Sequence, residues 1–300
     1  MAWYSTPQKR KRAFALCGNA LLFLGPALLL YGVFVIRPTL DVFRYSLFKW
    51  DGISPDMEWV GLGNYARLLG DSVFWTAFTN NIWWTVIIVL INVVGGLILA
   101  ALMAQKIKGR TFFQVAFFLP VIQAPITTAV IWRWMYQPDG AVNAALAATG
   151  LEALARPWLG DFTWALPALA IAHAWSTVGL SVVIFLAGLQ SVNPELYDAA
   201  KIDGATGVQS FRHVTLPALR PVTVVVFILV VTTAFKAFDL IWGTTQGGPI
   251  RASELLATYM YKRGVLESAY GFGSAVAVSL LLVVTVVMSA FLIWQQREDG

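Results

Sequence analysis

An all-α membrane protein of about six spanning helices is the fold class this sequence predicts, and three observations predict it. Of its 300 residues, 58% are hydrophobic and only 12% are charged, whereas roughly a quarter of an ordinary soluble chain is charged. The mean hydropathy is +0.69, more apolar sequence than a core of this size hides, so lipid must serve as solvent. The apolar residues also gather into runs of about 20, the length that crosses a bilayer as a helix. A single cysteine, Cys17, excludes a disulfide framework and a cysteine-rich metal site. The net charge of +5 would suit nucleic acid or basic loops beside a membrane; the apolar runs assign it to topology.

Six segments qualify as spans, near 13–36, 82–104, 112–134, 165–188, 222–242 and 274–294, making one transmembrane domain over 1–300. The run after Lys9-Arg10-Lys11-Arg12 is longer than a signal-peptide core, which predicts a retained first helix. Basic residues then orient the chain. Lys9 to Arg12, then Lys106, Lys108 and Arg110, then Lys201, Arg212 and Arg220, and finally Arg297 all fall on one side, in short loops. Both termini are therefore expected to be cytoplasmic, in the plasma (inner) membrane. The spans are not plain anchors. Pro120 and Pro125 interrupt the third and Pro167 the fourth, and each removes a backbone bond that lipid cannot replace. Gly95, Gly96 and Gly179 permit close helix approach.

The most informative stretch lies between the fourth and fifth spans. Asn193 caps a helix with Pro194 at its first position, and Gly204 supplies the left-handed stop after Asp203. Thr206 and Gln209 form a capping box for a second short helix, with Pro217 just beyond it. The spacing predicts a helix–turn–helix over 194–217 on the cytoplasmic side. Leu196, Ala199, Ala200 and Asp203 share one face of its first helix, and the small alanines leave room for another surface. The residues alone leave four uses open: an element on the lipid surface, one packed on its own bundle, a DNA-binding helix-turn-helix, to which a short loop tethered at both ends to a membrane is poorly suited, or a docking element for a cytosolic partner.

This stretch resembles the cytoplasmic "EAA" loop of binding-protein-dependent ABC importers, whose pattern is E-A-A, three residues, G, nine residues, I-x-L-P. Here Asp198-Ala199-Ala200 is followed after three residues by Gly204 and after nine more by Val214-Thr215-Leu216-Pro217. Aspartate stands for glutamate and valine for isoleucine. The segments 235–249 (Phe235-Lys236 through Gly247-Gly248-Pro249), Gly63-Asn64-Tyr65 and 132–140 are similar to sugar-type permeases, in particular the first of the two dissimilar permeases that such importers pair. The resemblance implies that Asp198, Ala199, Ala200, Asp203, Gly204, Ala205, Arg212, Leu216 and Pro217 couple the chain to an ATPase. It implies as partners a second dissimilar permease, two ATPase subunits that carry ATP and Mg, and an extracytoplasmic sugar-binding protein.

No catalytic constellation, phosphate-binding loop or metal motif is present, so no enzyme activity and no cofactor of its own are expected of this chain. His173 and His213 lack metal-ligand spacing; His173 is expected to form hydrogen bonds inside the bundle. Trp83, Trp84, Trp132, Trp134 and Trp294 fit interfacial belts, and Arg133 fits a snorkelling position. For a sugar pathway the candidate wall residues are Asn81, Gln123, Thr127, Lys236, Asp239 and Trp242. Lys236 and Asp239 are spaced to pair on one helical face. A di- or oligosaccharide is the expected substrate. The alternatives are an importer of glycerol phosphate or a polyol glycoside, or an ion-coupled secondary transporter using Lys236, Asp239 and His173. Six spans with few buried acids equip the last poorly.

Overall fold

The computed structural model describes residues 22–105 and 108–298, with side chains as far as 295. The start of the first expected span, the basic cluster Lys9–Arg12, Cys17, Lys106 and the Arg297 side chain lie outside the described residues. Among the described residues there are five long apolar helices: α1 (Leu22–Tyr45), α3 (Ser72–Ala104), α7 (Ala165–Ser191), α10 with α11 (Arg220–Thr244) and α13 (Tyr270–Glu298). A bent pair, α4 (Arg110–Ile122) and α5 (Pro125–Met135), makes the sixth span. Short helices α2 (Gly63–Leu69), α6 (Ala141–Ala148), α8 (Pro194–Ile202), α9 (Gly207–Ser210) and α12 (Leu256–Tyr261) lie in the connections. One small hairpin, β1 (Phe48–Lys49) against β2 (Glu58–Trp59), pairs Phe48 with Trp59 and was not foreseen from sequence.

The third span is not one helix. Its halves meet at 105°, and the break falls where Ala124 precedes a proline and is driven to extended backbone, with ψ 140°. Pro125 has no N–H to continue the ladder, so it starts a new helix instead. The fifth span breaks too: α10 ends at Phe235, and α11 (Asp239–Thr244) starts after Phe238 leaves helical geometry. Lys236 and Asp239 therefore stand on either side of a break. Both are exposed, and they form no ion pair with each other.

Helix α7 is the axis of the bundle, and glycines set its distances to its neighbours. A Cβ on Gly179 would lie 2.1 Å from the Phe117 carbonyl of α4, one on Gly96 would lie 3.0 Å from the Ser181 Cβ, and one on Gly188 would lie 2.8 Å from Val222 of α10. Around these contacts pack Trp84, Ile88, Leu169, Val182, Phe185 and Leu219. Trp84 is fully buried in this core rather than in a belt, whereas Trp83, Trp134 and Trp294 are exposed. Helix α1 stands at the margin, its most apolar stretch wholly unburied within the chain.

Traced through the spans, the 194–217 loop and the end of α13 lie at one end of the bundle. The hairpin, α2, α12 and the start of α13 lie at the other. There Tyr45, Trp50 and Tyr270 cluster, and the Gly271 N–H donates to the Trp50 carbonyl at 3.0 Å.

Candidate functional site

The 194–217 loop folds by local chemistry. Asn193 accepts a hydrogen bond from the Glu195 N–H at 3.0 Å and caps α8. At the far end Gly204 has φ +75°. The Ala205 N–H donates to the Ala200 carbonyl at 2.9 Å and the Gly204 N–H to Lys201 at 3.1 Å, the paired bonds of a left-handed helix stop. Thr206 and Gln209 close both halves of the capping box that starts α9. The Tyr197 hydroxyl lies 3.1 Å from the Thr215 hydroxyl, which ties the first helix to the root of α10.

These turns gather the expected coupling residues around one concavity of about 470 Å³, lined by Leu196, Ala199, Ala200, Asp203, Gly204 and Ala205, with His213 opposite. Asp198, Arg212, Leu216 and Pro217 fall outside it; Asp198 turns to Lys201, 2.9 Å away. Beside the concavity Ile202 is 87% and Val208 78% exposed. Both were missed in the sequence, where an isolated apolar residue beside a turn carries no periodic signal.

A second feature lies inside the bundle. A cavity of about 190 Å³ opens between α4, α5, α7 and α10, and among the described residues no Lys, Arg, Asp or Glu lines it. Four of its lining residues bury a polar atom without a hydrogen-bond partner among the described residues: Asn92 Oδ1, Gln123 Oε1, Thr128 Oγ1 and His173 Nε2. A buried orphan of this kind costs about 1–3 kcal/mol, and the four residues that carry them come from separate elements around the cavity. The break between α4 and α5 brings Gln123 into it. Thr128 faces the cavity, one residue beyond the expected Thr127, which is exposed. His173, expected to be hydrogen-bonded, instead rests its ring 5.3 Å from that of Trp84.

The other expected wall residues lie elsewhere. Asn81 accepts from the Leu256 N–H at 3.1 Å and pins α12 to α3. Trp242 stacks on Phe238 and meets Tyr261 edge-on. Lys236 and Asp239 flank the break beyond the cavity.

At the end away from the loop, charge fixes the spans to each other. Asp71 caps α3, accepting from the Val73 N–H at 2.8 Å, from the Tyr259 hydroxyl at 2.6 Å and from Arg263 at 3.0 Å. Burial raises the Asp71 carboxyl, and these donors outweigh it, so its pKa falls below the ordinary value. Burial, then the bond to Asp71, pushes the Tyr259 hydroxyl up to about 12. Glu254, 1% exposed, is held by Lys262 and by Thr258.

Comparison with known proteins places this architecture. The family model for the binding-protein-dependent transport system inner membrane component matches residues 81–298. The chain is 38% identical over 271 residues to the probable ABC transporter permease protein YurN of Bacillus subtilis, covering 89% of this chain and 92% of that one. It is 32% identical to the multiple sugar-binding transport system permease protein MsmF of Streptococcus mutans, covering 88% and 91%. A crystal structure of a bacterial ABC transporter that imports the acidic polysaccharide alginate shares the fold, with a TM-score of 0.79 at 22% identity over 97% of this chain and 98% of that one. The chain belongs to the family of binding-protein-dependent transport system inner membrane components.

Proposed function

We propose that this chain is the membrane-spanning subunit of an ATP-driven importer that carries a di- or oligosaccharide across the plasma membrane. It pairs with a second, dissimilar permease, and two ATPase subunits bind the 194–217 loop. An extracytoplasmic binding protein delivers the sugar. The loop and both termini face the cytoplasm, and the whole chain acts as one transmembrane domain. ATP and Mg act on the ATPases; this chain contributes no reaction chemistry.

The observation that carries this reading is the loop concavity. A stop at Gly204 and a box at Thr206 hold Ile202 and Val208 outward on a rigid turn, with small residues behind them. Gly188 lets Leu219 and Val222 seat directly against α7, so the helices that enter and leave the loop move together. Closure of the ATPase dimer on the loop then rocks the bundle as a lever. Inside, the cavity is lined by neutral Asn, Gln, Ser, Thr and His side chains and, among the described residues, by no charged group, which favours a neutral sugar over glycerol phosphate, a substrate that would call for clustered cations. Ion coupling finds no carboxylate there to carry a proton or sodium.

The test is ATP-dependent uptake of radiolabelled saccharides into proteoliposomes holding the co-purified complex and its binding protein. Wild-type complex should accumulate sugar only with ATP, and Gly204→Glu should abolish uptake while the bundle still inserts. Uptake driven by a proton or sodium gradient without ATP, or normal transport by Gly204→Glu, would overturn the reading.

A further inference from the structure

A second cleft, of about 380 Å³, lies at the end of the bundle away from the 194–217 loop, between the end of α5, the 157–160 turn and the 244–249 turn. Its polar lining comes from Arg133, Gln137, Thr244 and Thr245, and its apolar faces include Pro157 and Pro249. Arg133 is exposed into it and has no hydrogen-bond or ion-pair partner among the described residues. A planar guanidinium with five donors in a cleft that also has proline in its walls suits a sugar ring, whose edge is hydroxyls and whose faces are C–H.

The walls are fixed before any ligand arrives. Asn143, 8% exposed, donates to the Pro138 carbonyl at 3.1 Å and the Arg156 carbonyl at 3.0 Å and accepts from the Trp158 indole at 2.8 Å. The Tyr136 hydroxyl donates to the Ala168 carbonyl at 2.9 Å. On the opposite wall the Thr245 hydroxyl lies 2.7 Å from that of the fully buried Ser253.

The same two helices build both cavities. Helix α5 puts Pro125 and Thr128 on the inner cavity and Arg133 on this cleft. Helix α11, packed along it, puts Leu240 on the first and Thr244 on the second. The 11 residues of α5 rise about 16 Å, so the two sites lie within one helix length of each other. The geometry points to the outer cleft as a second saccharide station, which holds one sugar ring of the incoming substrate before it reaches the inner cavity. This station rests on the saccharide reading above.

The test uses the intact importer complex in nanodiscs and diazirine derivatives of maltotriose and lactose, with the labelled positions mapped by mass spectrometry. Label is expected at both stations, in 133–138 and 244–249 and in 173–181. Arg133→Ala should lower the outer label by roughly tenfold, the loss expected for one charged hydrogen-bonding group, and leave the inner label in place. Arg133→Lys should fall between, because it keeps the charge and loses the planar fork. Label confined to 173–181, or outer label undiminished in Arg133→Ala, overturns the outer station alone. Label at neither station with both sugars overturns the saccharide reading itself.

Discussion

Replacing Gly204 separates the loop's role from the stability of the bundle. Its φ of +75° ends α8, and among the described residues no atom beyond its chain neighbours lies within 4 Å of where a Cβ would sit. Gly204→Ala therefore meets no steric clash and costs only left-handed backbone strain, about 1–2 kcal/mol. That energy shifts the population of the stopped conformation by a factor of about 5–30. Asparagine tolerates the left-handed region, so Gly204→Asn should transport nearly as wild type. ATP-dependent uptake by Gly204→Ala should fall by up to that factor, and substrate-stimulated ATP hydrolysis should fall with it. The melting temperature in detergent should not move, because the turn is exposed. Wild-type uptake by Gly204→Ala would refute the reasoning. So would a melting temperature that falls in step with uptake, since the loop would then be part of the bundle's packing rather than a coupling device.

Three further outcomes follow from the geometry. Thr128→Val removes a buried hydroxyl that has no partner, so the melting temperature should hold or rise by an equivalent of about 1 kcal/mol while saccharide uptake falls; uptake assays beside thermal unfolding check both halves. Gly179→Val drives a side chain into the Phe117 carbonyl 2.1 Å away, and should cost at least about 1–3 kcal/mol and lower the yield of folded protein on size exclusion. Asp71 has its pKa depressed in the fold, so its stabilisation is present above its ordinary value near 4 and is lost as pH falls through the folded value. Tyr259 has its pKa raised to about 12, so its contribution is intact below about 10 and is lost as pH rises through about 12. Melting curves against pH should sag at both extremes, and Asp71→Asn should flatten the acid limb.

The loop was legible because its determinants are local. Asn193, Pro194, Gly204, Thr206 and Gln209 each act on backbone within four residues, and the structure uses every one of them as caps and stops. Span number was legible for a similar reason, since length and hydropathy decide it. The breaks were only half legible. Pro120 and Pro125 announced an interruption, but its 105° bend depends on how α5 packs along α11, a long-range matter. Which of Thr127 and Thr128 lines the cavity is set by how the helix after the bend is turned, and it is Thr128. Lys236 and Asp239 looked paired only while the fifth span was read as continuous. His173 and Trp84 come together from different spans, and nothing in the local sequence signals that contact. Trp84 looked like a belt residue beside Trp83, and tertiary packing alone separates the two.

The central claim is that the 194–217 loop is where ATPase subunits grip this chain. The direct measurement replaces Cys17 by serine, introduces Ile202→Cys at the exposed tip, and applies a short cross-linker that joins this thiol to a neighbouring lysine amine in native membranes, with the products identified by mass spectrometry. An adduct joining residue 202 to an ATPase subunit, weakened when Gly204→Glu is added, is the predicted result. Adducts only within this chain, or none while the ATPase co-purifies, would contradict the account.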